Sequence, residues 1–355
     1  MKEKSTYPIL QALGAAILFG ASTPLSKMLL QEIEPVILAG LLYLGCGLSA
    51  IILRLFRLAL EKDVPIEADL TQRDIPWLAG AVIAGGILAP ILLLIGLQST
   101  PAATASILLN LEIVATVIIA GYIFSEAIGR RIWWAMALIT IAGIALSLDV
   151  TGGWGISLGA LAVISACFLW GLDNNLTRNV SAKDPLVIVA IKGLAAGTFS
   201  LLLGLMIGNT LPSLGIISLA LLVGSFSYGV SITLFVLAMR GLGAARTGML
   251  YATAPFIGAT LSFVLLREQP SLLFLVSIPL MVLGVVLMVS ESHAHSHAHE
   301  FEEHNHRHSH PEIHHDHTHA SEALDETPTH AHWHIHPPGV HVHEHNPDLH
   351  HQHPH

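Results

Sequence analysis

Residues 101–124 read PAATASILLNLEIVATVIIAGYIF, and Glu112 is the sole formal charge in the stretch. A helix needs about 20 mostly apolar residues to cross a bilayer, so this segment reads as a membrane span. Working outward from it, nine more stretches qualify: 8–30, 35–53, 76–98, 132–148, 156–176, 185–207, 214–239, 244–266 and 271–289. The turns between them are mostly short and carry proline or glycine, as at Thr100-Pro101, Asp184-Pro185 and Gln269-Pro270; only 54–75 is a longer polar connection. The run behind Lys2 and Lys4 is longer than a signal-peptide core and reads as a retained first span.

Composition agrees. The 355 residues are 53 % hydrophobic and 12 % charged, half the ~25 % charge of a soluble domain. The charge is also divided unevenly. Residues 1–290 hold 15 Lys and Arg against 14 Asp and Glu, whereas 291–355 hold one against 11, together with all 23 histidines. No basic run interleaves with aromatics, so no nucleic-acid partner is expected. Cys46 and Cys167 sit inside apolar runs and offer no disulfide framework or CxxC motif. Neither GxxxxGK[ST] nor HExxH occurs, and no enzyme is expected.

Lys and Arg placement orients the spans. With the N-terminus in the cytoplasm, twelve of them (from Lys2 to Arg246) fall inside, and only Lys27 and Arg267 fall outside. An internal repeat is also visible. Phe19-Gly20 and Lys27 recur 151 residues later as Trp170-Gly171 and Arg178; Pro35 and Gly47 recur 150 later as Pro185 and Gly197; Glu126 recurs 142 later as Glu268. Five spans per half is an odd number, so the halves lie inverted, an arrangement typical of secondary transporters with a site near midplane. The expected fold is an all-α membrane protein of ten transmembrane helices in two inverted five-helix repeats, 1–149 and 150–290. A disordered His-rich cytosolic tail, 291–355, follows.

The repeat landmarks resemble the EamA-type members of the drug/metabolite transporter superfamily over about residues 8–290. The carrying segments are LFGASTPLSKMLL (18–30), ASILLNLEIVATVIIAGYIFSEAIGRR (105–131), WGLDNNLTRNVSAKDP (170–185), IKGLAAG (191–197), LGAARTGMLYATAPFIGA (242–259) and LLREQP (265–270). The resemblance implies a bacterial inner-membrane permease with both termini cytoplasmic, moving small metabolites such as amino acids, nucleotides or sugars. No cofactor is expected for transport. The expected partners are the lipid bilayer, a small solute, divalent metal ions and, as an option, a second copy in a homodimer.

Charges inside a bilayer are costly and tend to mark function. Glu112 lies about 16 Å along its helix from Pro101, at 1.5 Å per residue, hence near midplane. Its counterpart in the second half falls at Ala254-Pro255, where proline breaks the helix and frees a carbonyl. Candidate substrate contacts are Glu112, Lys192, Asn110, Asp173, Asn174, Arg246 and Tyr251. Lys192 either snorkels to the interface or pairs with Glu112. Asp173, Asn174 and Arg178 either line a path or sit solvated at the interface. Small residues such as Gly47, Gly193 and Gly197 permit close helix packing, and Glu126 and Glu268 cap or clamp helix ends.

The tail cannot bury a core. Its histidines come as HxH runs: His293, His295, His297 and His299; His304, His306, His308 and His310; His314, His315, His317 and His319; His330, His332, His334 and His336; His341, His343 and His345. Neutral imidazole suits Zn, Ni, Co or Cu, so divalent-metal binding is expected there, with a pH-sensing tail as the competing reading. The body has no histidine, which favours a metabolite over a bare metal ion as cargo. The alternatives are a transporter of divalent metal or of a metal complex, and a membrane-anchored metal buffer.

Overall fold

A computed structural model describes residues 7–60, 70–123, 128–149, 155–180, 183–242 and 244–289, and in the tail 293–299, 302–309, 329–336 and 339–345. Among the described residues, eight helices are long and apolar enough to span a membrane: α1 (Tyr7–Leu29), α2 (Pro35–Ala59), α3 (Gln72–Ser99), α4 (Ala102–Ile123), α5 (Arg130–Ser147), α6 (Leu158–Arg178), α7 (Pro185–Met206) and α8 (Leu214–Ala238). The ninth, α9, comes in two pieces, Ala244–Tyr251 and Ala254–Leu266. The tenth, α10, covers Leu272–Met288. Large apolar side chains such as Leu55, Phe56, Trp134, Met206 and Leu272 face outward, as lipid-facing positions do.

Local chemistry sets the helix starts. Pro185 opens α7 and the Asp184 carboxylate before it accepts the Leu186 N–H at 2.9 Å, an N-cap followed by proline at the first helical position. Ser157 caps α6 by accepting the Ala160 N–H. That serine lies within GISLG, residues 155–159, a Gly-x-Ser-x-Gly match that here serves as a helix start. Asp184 also takes an ion pair from Arg54 at 3.2 Å, tying the end of α2 to the start of α7.

The helix contacts follow the repeat. α2 packs on α7, α4 on α9 and α5 on α10, each against its own counterpart. α1 packs on α8 and α9, and its counterpart α6 packs in the same manner on α3 and α4. The α2–α7 seam brings backbones into contact: a Cβ on Gly193 would lie 2.5 Å from the Gly47 nitrogen, and one on Gly47 would lie 2.7 Å from the Leu194 nitrogen. Membrane helices gain packing this way because lipid tails are as apolar as the helices themselves. Gly193→Ala is therefore expected to push α2 and α7 apart and to cost about 1–3 kcal/mol, the usual range for overpacking. Denaturant titration in mixed micelles measures it.

In the tail the described pieces are four strands. His293–His299 pairs antiparallel with Gly339–His345, and Glu302–Ser309 pairs antiparallel with Thr329–His336. Among the described residues neither pair gains a third strand. An isolated two-stranded ribbon is marginal in water, so these segments build no core, in keeping with the composition. His310, His314, His315, His317 and His319 lie outside the described residues.

Candidate functional site

Four of the bundle's departures from regular helix fall into two matched pairs, one member in each half. α3 contains a π-helical turn over Val82–Leu88, and α8 contains one over Ser225–Val230. α4 breaks between Leu108 and Leu111, and α9 breaks between Tyr251 and Ala254. Within each pair the two features start 143 residues apart. Each half thus has one hairpin, α3–α4 or α8–α9, whose first helix is widened and whose second is interrupted mid-span. Such bulges and breaks recur at functional sites and hinges.

Side chains finish both breaks in the same way. The Asn110 amide donates to the Ile107 carbonyl at 3.0 Å, and the Thr253 hydroxyl donates to the Leu250 carbonyl at 2.6 Å. Both acceptors lie three residues upstream, which holds the turn tighter than an α-helix. Pro255 announced the second break. The first has no proline; only Asn110, whose side chain competes with regular helical bonding, hints at it. The Asn110 Oδ1 is buried with no hydrogen-bond partner. Phe19, Thr23, Ser106, Leu109, Ala254 and Pro255 line a narrow recess where α1, α4 and α9 meet, too tight to hold water.

Glu112 sits in the first turn below the α4 break. Its Oε1 accepts from the Asn174 amide of α6 at 2.9 Å; the same amide donates to the Thr116 hydroxyl at 3.1 Å, and Thr116 donates on to the Glu112 carbonyl at 2.8 Å. Asn175 adds a second tie, donating to the Thr116 carbonyl at 3.0 Å. Glu112 is half-buried and Asn174 is exposed, so the carboxylate accepts from a neutral amide on its accessible side.

Lys192 does not pair with Glu112. Its ammonium lies 2.5 Å and 2.8 Å from the two oxygens of Asp173 and 3.1 Å from the Thr177 hydroxyl, and Thr177 in turn donates to Asp173 at 2.8 Å. The pair leans on α3: a Cβ on Gly85 would fall 1.9 Å from the Asp173 Oδ2. Gly85 lies in the π-turn, and its carbonyl accepts from both the Tyr43 hydroxyl at 2.6 Å and the Trp170 indole at 3.0 Å. A widened turn exposes carbonyls that need such outside donors. Thr116, Thr177, Tyr43 and Gly85 join the site without having been singled out from the sequence, and Trp170 had been noted only as a repeat landmark. Thr116 and Thr177 were within reach of it, four residues after Glu112 and Asp173 and so on the same helix faces.

Of the remaining candidates, Tyr251 stands in an aromatic row. Its ring centroid is 5.5 Å from Phe19 and 4.7 Å from Phe235, and the row continues through Phe19, Tyr228 and Tyr43 at 6.0 and 5.8 Å steps. Arg246 is in the first piece of α9, and its side chain lies outside the described residues. Among the described residues of the bundle, no three His, Cys, Asp or Glu side chains come together to hold a metal.

One end of the bundle is latched onto the α3–α4 turn. Lys27 of α1 donates to the carbonyls of Leu97, of Gln98 at 3.3 Å and of Thr100 at 3.1 Å, capping the C-terminal end of α3. Glu268, just past α9, accepts the Ala102 and Ala103 N–H groups at 2.7 and 2.8 Å, capping the start of α4. Each charge meets the helix end its sign favours. Arg267, at φ 53°, ends α9 in a left-handed residue. The second-half counterpart of Lys27 is Arg178; the counterpart of Glu268, Glu126, lies outside the described residues.

The chain matches the EamA-like transporter family model twice, over residues 6–148 and 157–290. An uncharacterized transporter from Methanothermobacter thermautotrophicus is 29 % identical over 288 residues, covering 77 % of this chain and 83 % of the relative. A solved crystal structure of a protein superposes with a TM-score of 0.57 at 20 % identity, covering 78 % of this chain and 95 % of that one, which is a likeness of fold. With two family matches spanning nearly all of the bundle, the chain belongs to the EamA-like transporter family, a multi-pass membrane transporter and not an enzyme.

Proposed function

We propose that the chain is a gradient-coupled permease that moves a small polar metabolite by alternating access between halves 1–149 and 150–290. The observation that carries this reading is the placement of Glu112. It sits immediately after a mid-span helix break, held by a neutral amide, opposite a matched break at Thr253-Pro255. Broken helices around a midplane site are the common design of secondary transporters. The α3–α4 and α8–α9 hairpins supply two matched moving parts, and the Lys27–Glu268 latch holds one end closed. Substrate contacts are assigned to Glu112 and Asn174, with Asn110 shaping the break above them. Asp173 and Lys192 form the charged wall beside them, and Tyr251 and Arg246 belong to the second-half side of the path.

The Lys and Arg bias supports a bacterial inner-membrane orientation with both ends cytoplasmic, so that the Arg178 end faces the cytosol and the Lys27 end faces out. The 291–355 tail is assigned to binding divalent metal of the Zn, Ni, Co or Cu class from the cytosol. A body without histidine, and without a three-ligand group among its described residues, gives no support to a bare metal ion as cargo. Purified protein in proteoliposomes, loaded in turn with amino acids, nucleotides, sugars and metal salts under a proton gradient, tests the reading. Saturable flux of one organic class supports it, and flux of metal alone overturns it.

A further inference from the structure

The histidine spacing of the tail and its strand register fit one another. HAHSHAH (293–299) and GVHVHEH (339–345) place histidine at every second residue, which on a strand puts those residues on one face. Their register sets His293 opposite His345, His295 opposite His343 and His297 opposite His341. The inner pair repeats the pattern, from His304 opposite His334 to His308 opposite His330, and ends with Glu302 opposite His336. Both ladders belong to one hairpin register, because Ser309 opposite Thr329 continues the count begun at His293 opposite His345. A slip of one residue would set histidines against the small, apolar and acidic residues between them and remove each of these rungs.

We propose that divalent ions of the zinc class bind across these strand pairs, at cross-strand histidine rungs, and that the bound metal is what orders the tail. This rests on the reading that the tail binds metal, and adds where and with what consequence. Directly opposite residues on antiparallel strands are about 4.5–5.5 Å apart at Cα, and successive rungs on one face about 7 Å apart. Two neighbouring rungs therefore bring four histidine positions together in the register, the number of ligands a tetrahedral zinc site uses. A bare two-stranded ribbon is marginal. An ion that binds only the paired form shifts that balance by mass action.

Hydrogen–deuterium exchange of the full-length protein in nanodiscs, with and without zinc chloride, tests this alongside equilibrium dialysis of zinc. Zinc at about ten times its dissociation constant is expected to slow amide exchange about tenfold in 293–299, 302–309, 329–336 and 339–345, reversibly with chelator. Replacing His341, His343 and His345 together by Ala is expected to abolish the slowing in 339–345 and in its partner 293–299, while the inner pair keeps it. Zinc binding without slowed exchange, or loss confined to the substituted strand, overturns the ladder while leaving a metal-binding tail in place. Dialysis showing no more zinc on the full chain than on residues 1–290 overturns both.

Discussion

Asp173→Asn is expected to destabilise the bundle by about 3–5 kcal/mol, the typical cost of stranding one member of a buried ion pair. Lys192→Met added to the same chain is expected to recover most of that loss. Desolvation sets the cost. Lys192 and Asp173 are only 17 % and 10 % exposed, and the ammonium spends its hydrogen bonds on both carboxylate oxygens and on Thr177. With Asn at 173 the ammonium keeps its burial and loses its counter-charge. With Met at 192 the charge is gone, and an apolar side chain of similar length fills the slot. Denaturant titrations of both variants in mixed micelles measure the difference. A single variant as stable as the native chain would mean that the pair is open to water and contributes as little as a surface bridge.

Glu112→Gln has a different expected signature. Gln keeps an acceptor for the Asn174 amide and nearly the same volume, so stability should change little. Only the charge is lost. If the solute or the driving ion meets that carboxylate during transport, flux falls by about ten- to a hundredfold, the range for a hydrogen bond to a charged group. The proteoliposome assay reads it against a native control. Native flux in Glu112→Gln would move the site away from the α4 break.

Much of this arrangement was legible before any coordinates. Ten apolar stretches, the repeat offsets and Pro255 follow from composition and spacing, because a bilayer leaves few ways to satisfy a backbone. The partner of Lys192 was not read: the sequence offered the interface or Glu112 and passed over Asp173. Lys192 is seven residues from the start of α7 and Asp173 five from the end of α6, about 10 and 7.5 Å from the same end of the bundle at 1.5 Å per residue. Glu112 lies about 16 Å in from the opposite end of α4. Asp173 is the neighbour of Asn174, whose amide meets Glu112, so depth alone does not choose between the two carboxylates; the structure pairs Lys192 with Asp173. The α4 break and the two π-turns were not legible. They arise where Gly85 must admit Asp173, and where Asn110 bonds Ile107, contacts that need the neighbouring helices in place. The role of Lys27 was equally hidden, because its partners are backbone carbonyls that carry no sequence signature.

The central claim is that the space beside Glu112 opens to one side of the membrane at a time. Asn174 is exposed beside that carboxylate, so Asn174→Cys, with Cys46 and Cys167 replaced by Ala, reports on it directly. A membrane-impermeant maleimide applied to oriented vesicles should label Cys at 174 from the Arg178 side in the chain with an intact latch. Adding Lys27→Met and Glu268→Gln should shift labelling toward the Lys27 side. Labelling from neither side in both chains, or from both sides at once with the latch intact, would contradict alternating access at this site.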